Sequence, residues 1–300
     1  MSDNLKLGII GLSDGNGHPY SWSAIFNGYN QDYMKDCPFP VIPEYLSKQK
    51  FPDDCIKGVK VTHIWTQDKQ ISVNVAKASN IENIVEDYED MIGQVDAILL
   101  ARDDSQNHFE MAKPFIEAGL PIYIDKPLAN SVIESKKIYA LEKYEGQIFS
   151  CSAIGFANEL KLTDEIKKEI GEIKYIDACV IKDWTKYSIH IIEPVLKMMD
   201  NFSNIANSST NSYNNCKTVI INWENGITTS FKTLYDSKCP IKITIYGAES
   251  TKELLFEDTY NAFKSALNEF VQIVKKEKKN NSKIITLKAV EIIERGMAND

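Results

Sequence analysis

The side chains best able to do chemistry are few and widely spaced. The chain has four histidines (His18, His63, His108 and His190) and six cysteines, and only two of its 34 basic residues are arginines, Arg102 and Arg295. The cysteines, at positions 37, 55, 151, 179, 216 and 239, include no C-x-x-C pair, so they read as reduced thiols and no metal site is expected. Scarce arginine leaves few forks to clamp an anion. One run has an evident chemical use: Gly11-Leu12-Ser13-Asp14-Gly15-Asn16-Gly17, which follows the apolar segment LKLGIIGL and precedes a helical stretch from about Ser21 to Tyr29. Strand, glycine-rich turn and helix in that order put backbone N–H groups and a helix N-terminus where a pyrophosphate could sit. Against the G-x-G-x-x-G fingerprint, Ser13 replaces the second glycine. His18-Pro19 extends this loop towards either a cofactor or a substrate, whereas His63 lies within a strand and is expected to be packed.

The elements that would position these groups alternate. Apolar strands at Val59–Trp65, Asp96–Ala101, Pro121–Ile124 and Ile148–Cys151 are separated by helical segments, the pattern of a parallel α/β sheet. Residues 30–57, with four prolines, read as an inserted excursion before the second strand. That strand ends in Trp65-Thr66, where a dinucleotide fold usually carries an acid for the adenosine ribose. No arginine follows to grip a 2′-phosphate, so NAD is favoured over NADP. In the second half, a strand over Lys174–Ile181, a hairpin around Glu224-Asn225-Gly226 and alternation at Ile241, Ile243 and Ile245 predict an open, largely antiparallel sheet. An amphipathic helix follows over Tyr260–Val274, then the solvated run Lys275–Lys279. The Asn/Ser-rich stretch 201–216 reads as a polar loop. At roughly 150 residues per domain, the 300 residues divide into an α/β dinucleotide-binding domain (1–152) and an α+β substrate-binding and oligomerisation domain (153–300).

Composition excludes some classes. With 42 acidic residues against 34 basic, the net charge of −8 argues against a general nucleic-acid binder. The N-terminus has no signal-peptide pattern, and no stretch approaches the ~18 apolar residues of a membrane span, so a cytoplasmic protein without membrane contact is expected.

The segment VDAILLARDDSQNHFEMAKPFIEAGLPIYIDKPLA resembles the Gfo/Idh/MocA family of NAD(P)-dependent oxidoreductases. There an apolar strand, A-T-P-x-x-x-H, a helix ending in E-A-G, a second strand and E-K-P occur in order. Ala101, Asn107-His108, Glu117-Ala118-Gly119 and Asp125-Lys126-Pro127 occupy those places, and WTKYSIHIIEP matches the relatives that read Y-G-I-H-x-x-E. The resemblance implies a Rossmann sheet followed by a domain on an open sheet, and NAD or NADP as cofactor. The implied reaction is oxidation or reduction of a sugar, polyol or nucleotide-sugar at a hydroxyl or keto carbon, by a homodimer or homotetramer. It makes Lys126 the proton-handling or substrate-orienting residue and His190 its partner on the substrate oxygen. Gly11, Leu12, Ser13, Gly15, Trp65, Thr66, Ala101, Arg102, His108, Asp125 and Lys126 border the cofactor. His108 has a helix-start role as its alternative. Arg102 replaces a small polar residue and is either neutralised by Asp103 and Asp104 or touches the cofactor. Lys186 stands where several relatives carry a catalytic aspartate; it faces solvent, or the alignment there is offset by one, or it adds positive charge near Lys126 or binds an anionic substrate group. Tyr187 is a substitute proton donor or simply packs. Two further readings come from the same family: an NAD-dependent glycosidase, and a non-catalytic dinucleotide-binding regulator.

Overall fold

A computed structural model describes residues 4–199 and 202–297. The first six strands are β1 (Leu5–Ile10), β2 (Val59–Trp65), β3 (Asn83–Ile84), β4 (Ala97–Leu100), β5 (Ile122–Ile124) and β6 (Ile148–Phe149). All pair in parallel, in the order β3-β2-β1-β4-β5-β6. Such strands are covered on both faces, which is why β4 reads Ala-Ile-Leu-Leu without alternation and every residue in it is buried. The order reverses between β1 and β4, and a crevice outside the strands' C-terminal ends at such a point is where these sheets bind ligands. β3, at two residues, is too short to show a pattern in the sequence.

The remaining strands are β7 (Ile173–Val180), β8 (Ile205–Tyr213), β9 (Cys216–Trp223), β10 (Thr228–Thr233), β11 (Lys242–Gly247) and β12 (Thr251–Leu255). They form a second sheet, β12-β11-β7-β10-β9-β8, in which only β7 and β10 run parallel. The fold class is therefore as expected, a Rossmann-type parallel sheet plus a mixed, mostly antiparallel one. The helix Ile189–Met198 lies in the apolar cluster of this sheet, with Ile192, Val195 and Leu196 among Ile176, Val180, Phe231, Ile243 and Ile245.

One expectation is corrected. The stretch 201–216, of which residue 201 lies outside the described residues, is not a loop: β8 pairs with β9 from Ile205 to Tyr213. Backbone pairing holds this edge strand, and its side chains are mostly exposed Asn, Ser and Thr, so hydrophobic alternation is absent. Asn214 and Asn215, at φ 48° and 62°, make the two-residue turn into β9.

The chain forms two compact units. The first holds the described residues up to Leu128, with Lys136–Ser150 and Phe263–Lys283; the second holds Ala129–Ser135, Cys151–Ala262 and the described residues from Ile284 on. The division is not a single cut, because aromatic packing draws 263–283 into the first unit. Phe270 lies 5.7 Å from Tyr123 and 5.9 Å from Phe149, and Tyr123 stacks on Trp22 at 4.8 Å. The excursion at 30–57 contains short helices at Gln31–Met34 and Val41–Leu46. Its Phe39 and Ile42 pack so closely on Gly17 that a Cβ there would come within 2.6 Å of each. No helix among the described residues is long and apolar enough to cross a membrane.

Candidate functional site

In the first unit, the loops following β1 and β5 meet at Asp125. This carboxylate is 1% exposed and accepts three hydrogen bonds: Asn16 Nδ2 (2.8 Å) and His18 Nδ1 (2.7 Å) at Oδ2, and the Lys126 N–H (2.8 Å) at Oδ1. Burial by itself would raise its pKa, but the positive charge and hydrogen bond of His18, with Lys126 beside it, outweigh burial and hold it down to about 2. The His18 ring is stacked on Trp22 (4.8 Å, 15°) and meets Phe263 edge-on at 5.1 Å. Asn16 Oδ1 also accepts the His18 N–H at 2.8 Å, so one side chain orients both the histidine and its carboxylate.

Beside this hub, Lys126 is 6% exposed with its Nζ 3.7 Å from Asp103 Oδ2. Ser13 Oγ donates to Asp103 Oδ1 at 2.7 Å and accepts the Asp103 N–H at 3.1 Å. The residue in place of the second glycine thus ties the first loop to the loop after β4. Gly11 must be glycine, since a Cβ would come within 2.2 Å of Pro19 Cγ. Gly15, at φ +74°, has open space where a Cβ would stand.

Towards β2 a second network forms. Arg102 binds Asp104 through Nε (2.9 Å) and Nη2 (2.6 Å), and its Nη1 donates to Gln67 Oε1 at 3.1 Å. Gln67 Oε1 also accepts the Leu12 N–H at 3.0 Å, so the ends of β1, β2 and β4 are joined. Burial opposes ionisation of Asp104, but its bonds from Arg102 and Asn107 prevail and lower its pKa. Thr66 is buried, its hydroxyl donating to Asp68 O (2.6 Å) and sharing a hydrogen bond with Ser72. Trp65 packs edge-on against Tyr88, with Nε1 donating to Glu86 O. Ala101 is fully buried and donates its N–H to Ile10 O. His108 is fully buried with one ring nitrogen on Leu128 O (2.9 Å) and the other on Arg102 O (2.8 Å), which clamps the backbone after β4 to that after Lys126-Pro127.

The other candidates belong to the second unit. His190 Nδ1 shares a hydrogen bond with Ser152 Oγ at 2.8 Å, and Tyr187 lies edge-on to its ring at 5.7 Å. Lys182 Nζ sits 4.2 Å from the centre of the Tyr187 ring and bonds its hydroxyl. The Lys186 N–H caps the short helix Trp184–Tyr187 by donating to Asp183 Oδ1 at 2.9 Å. Glu193 is 2% exposed and accepts the Ser152 N–H at 2.6 Å. Its burial outweighs Lys197 and that hydrogen bond, pushing its pKa up to about 7. Asp103, Asn16, Gln67 and Ser152 were not legible as site residues. Each works through a tertiary hydrogen bond that leaves no spacing signal, although Asn16 and His18 share one short run.

A parallel sheet of this order, with a glycine-rich turn at its switch point, is the arrangement of a Rossmann-type dinucleotide-binding domain. Residues 41–152 match the family model described as "Oxidoreductase family, NAD-binding Rossmann fold". The match begins after β1 and its glycine-rich loop. Among solved structures, the fold is similar to a probable dehydrogenase from Thermotoga maritima (12% identity, 98% of this chain and 96% of that chain covered, TM-score 0.74). It is also similar to apo scyllo-inositol dehydrogenase from Lactobacillus casei (14%, 99% and 96%, 0.74) and to myo-inositol 2-dehydrogenase from Lactobacillus plantarum (16%, 98% and 96%, 0.72). No curated protein sequence matches the chain.

Proposed function

We propose that this protein is an NAD(P)-dependent oxidoreductase acting on a hydroxyl or keto carbon of a sugar, polyol or nucleotide-sugar. The observation that carries the reading is a buried Lys126 at the C-terminal end of β5, beside Asp103 and Asp125, in a segment matched to an NAD-binding oxidoreductase family. Inositol dehydrogenases among the similar structures support a polyol-like substrate. A dinucleotide fits the first loop, since Gly15 leaves open space and Gly17 adds no side-chain cap to the helix His18–Asn27. Gly11, Leu12, Ser13 and Gly15 would hold its diphosphate, and Trp65, Thr66, Ala101, Arg102 and His108 would border the remainder. When bound, the nicotinamide accepts or supplies the hydride. The Lys126 ammonium would hold the substrate oxygen, and in the second unit His190, with its ring set by Ser152, is the candidate group for substrate.

NAD is favoured because Arg102 is already held by Asp104 and Gln67, and the Thr66 hydroxyl is used within its own turn. Quenching of intrinsic tryptophan fluorescence tests both points. NADH is expected to bind at least about tenfold more tightly than NADPH, a difference of about 1.4 kcal/mol. Failure of both to bind ends the reading. Formation of NADH across a panel of inositols, hexoses and nucleotide sugars then identifies the substrate class.

A further inference from the structure

Resting on that oxidoreductase reading, we propose that His18 is a proton-transferring catalytic residue of the site, with Asp125 and Asn16 as its positioning residues. The ring is fixed on three sides, by Trp22 beneath it, Phe263 at its edge and Asp125 at Nδ1. An ionised carboxylate only accepts, so Nδ1 carries a hydrogen and Nε2 is the nitrogen left for proton exchange. The arrangement spans the crevice from the loop after β1 to the end of β5, and the His18 side chain remains 17% exposed. His108 is the contrast: fully buried, both of its ring nitrogens are spent on backbone carbonyls.

His18 is paired with Asp125 at the end of β5, next to Lys126, which in turn lies 3.7 Å from Asp103 after β4, and Trp22 and Phe263 pack on the ring. The His18 imidazole is the group that exchanges the proton, while Lys126, 3.7 Å from Asp103, serves as the positive charge for the substrate oxygen. In oxidation the O–H bond breaks and its proton passes to His18 Nε2. The O–H electron pair forms the new C=O bond, and the C–H hydride leaves with its own pair to the oxidised dinucleotide. Asp125 stabilises the resulting imidazolium, and reduction runs the same steps in reverse.

The test uses the whole chain and needs no known substrate. Diethyl pyrocarbonate acylates unprotonated imidazole nitrogen, and peptide mass spectrometry locates the modified ring. The expected result is acylation of His18 and not of His108, slowed about tenfold or more by saturating NADH. Acylation of His18 at an unchanged rate, or none at all, while tryptophan quenching shows NADH bound, overturns the assignment and leaves the oxidoreductase reading standing. If NADH does not bind, the oxidoreductase reading falls, and the proposal with it. On any polyol the wild type oxidises, His18→Gln is expected to lower kcat about 10²-fold or more and to change the pH profile of kcat/KM. Retention of kcat or of the wild-type pH profile in His18→Gln also overturns the proposal.

Discussion

Two buried carboxylates titrate in opposite directions because of what faces them. Asp125 meets a histidine, a lysine and three N–H donors, which hold its pKa down to about 2 despite burial. A depressed carboxylate contributes stability that is complete above its unfolded pKa of ~3.9 and is lost as pH falls through about 2. The stability gap between the wild type and Asp125→Asn is therefore expected to shrink by about 2 kcal/mol between pH 5 and pH 2, read from urea midpoints. Glu193 has one N–H donor and Lys197 against full burial, and its pKa rises to about 7. There the native state holds a proton the unfolded state releases, so stability from this group falls as pH rises from ~4.5 to 7. Glu193→Gln should gain on the wild type by up to about 3 kcal/mol between pH 5 and pH 8. Melting temperatures that run parallel across that range would contradict the assignment. At Ser13, removal of the hydroxyl leaves buried Asp103 short of a donor. Ser13→Ala should cost about 1–3 kcal/mol by denaturant unfolding.

At the scale of elements, backbone conformation and close contact decide more than hydrophobic pattern. The turn from β8 to β9 requires positive φ at Asn214 and Asn215. Asn215→Gly should be neutral or mildly stabilising there, whereas a β-branched Asn215→Val should lose about 1 kcal/mol or more. In the helix Ser282–Met297, Gly296 lets Trp184 approach, and a Cβ would stand 2.3 Å from its ring. The Trp184 Nε1–H donates to Ile293 O at 2.9 Å, so the indole cannot move away freely. Gly296→Ala is thus expected to destabilise by about 1–3 kcal/mol even though alanine is the better helix former, as circular dichroism melts would show.

For the whole molecule, the return of Phe263–Lys283 to the first unit sets what can fold alone. A fragment ending at residue 152 contains all six parallel strands, but it lacks Phe263 against His18 and Phe270 against Tyr123 and Phe149. Truncation of one such aromatic contact typically costs about 3–5 kcal/mol, a large share of a domain's stability. The fragment should therefore bind a hydrophobic dye and melt without cooperativity. A sharp melt of residues 1–152 would show that the aromatic stack is dispensable.

Much of this was written in local order. The parallel sheet was legible because buried strands such as β1 and β4 are continuous apolar runs, and β2 and the hairpin of β9 and β10 follow from periodicity and Asn-Gly turn chemistry. The segment from Val95 to Ala129 carries the family resemblance. Edge strand β8 was hidden because an exposed strand needs no apolar alternation, and two-residue β3 is too short to show any. The pairing of charges was not legible either. That Arg102 takes Asp104 and not Asp103, that Asp103 takes Ser13 and Lys126, and that His18 finds Asp125 across 107 residues follow from loops meeting at one end of a sheet. The sequence by itself determined which elements form and which chemical groups exist. Only the tertiary structure decided which charges are neutralised and which ring nitrogen meets a carboxylate, because hydrogen bonds between distant loops depend on position in space.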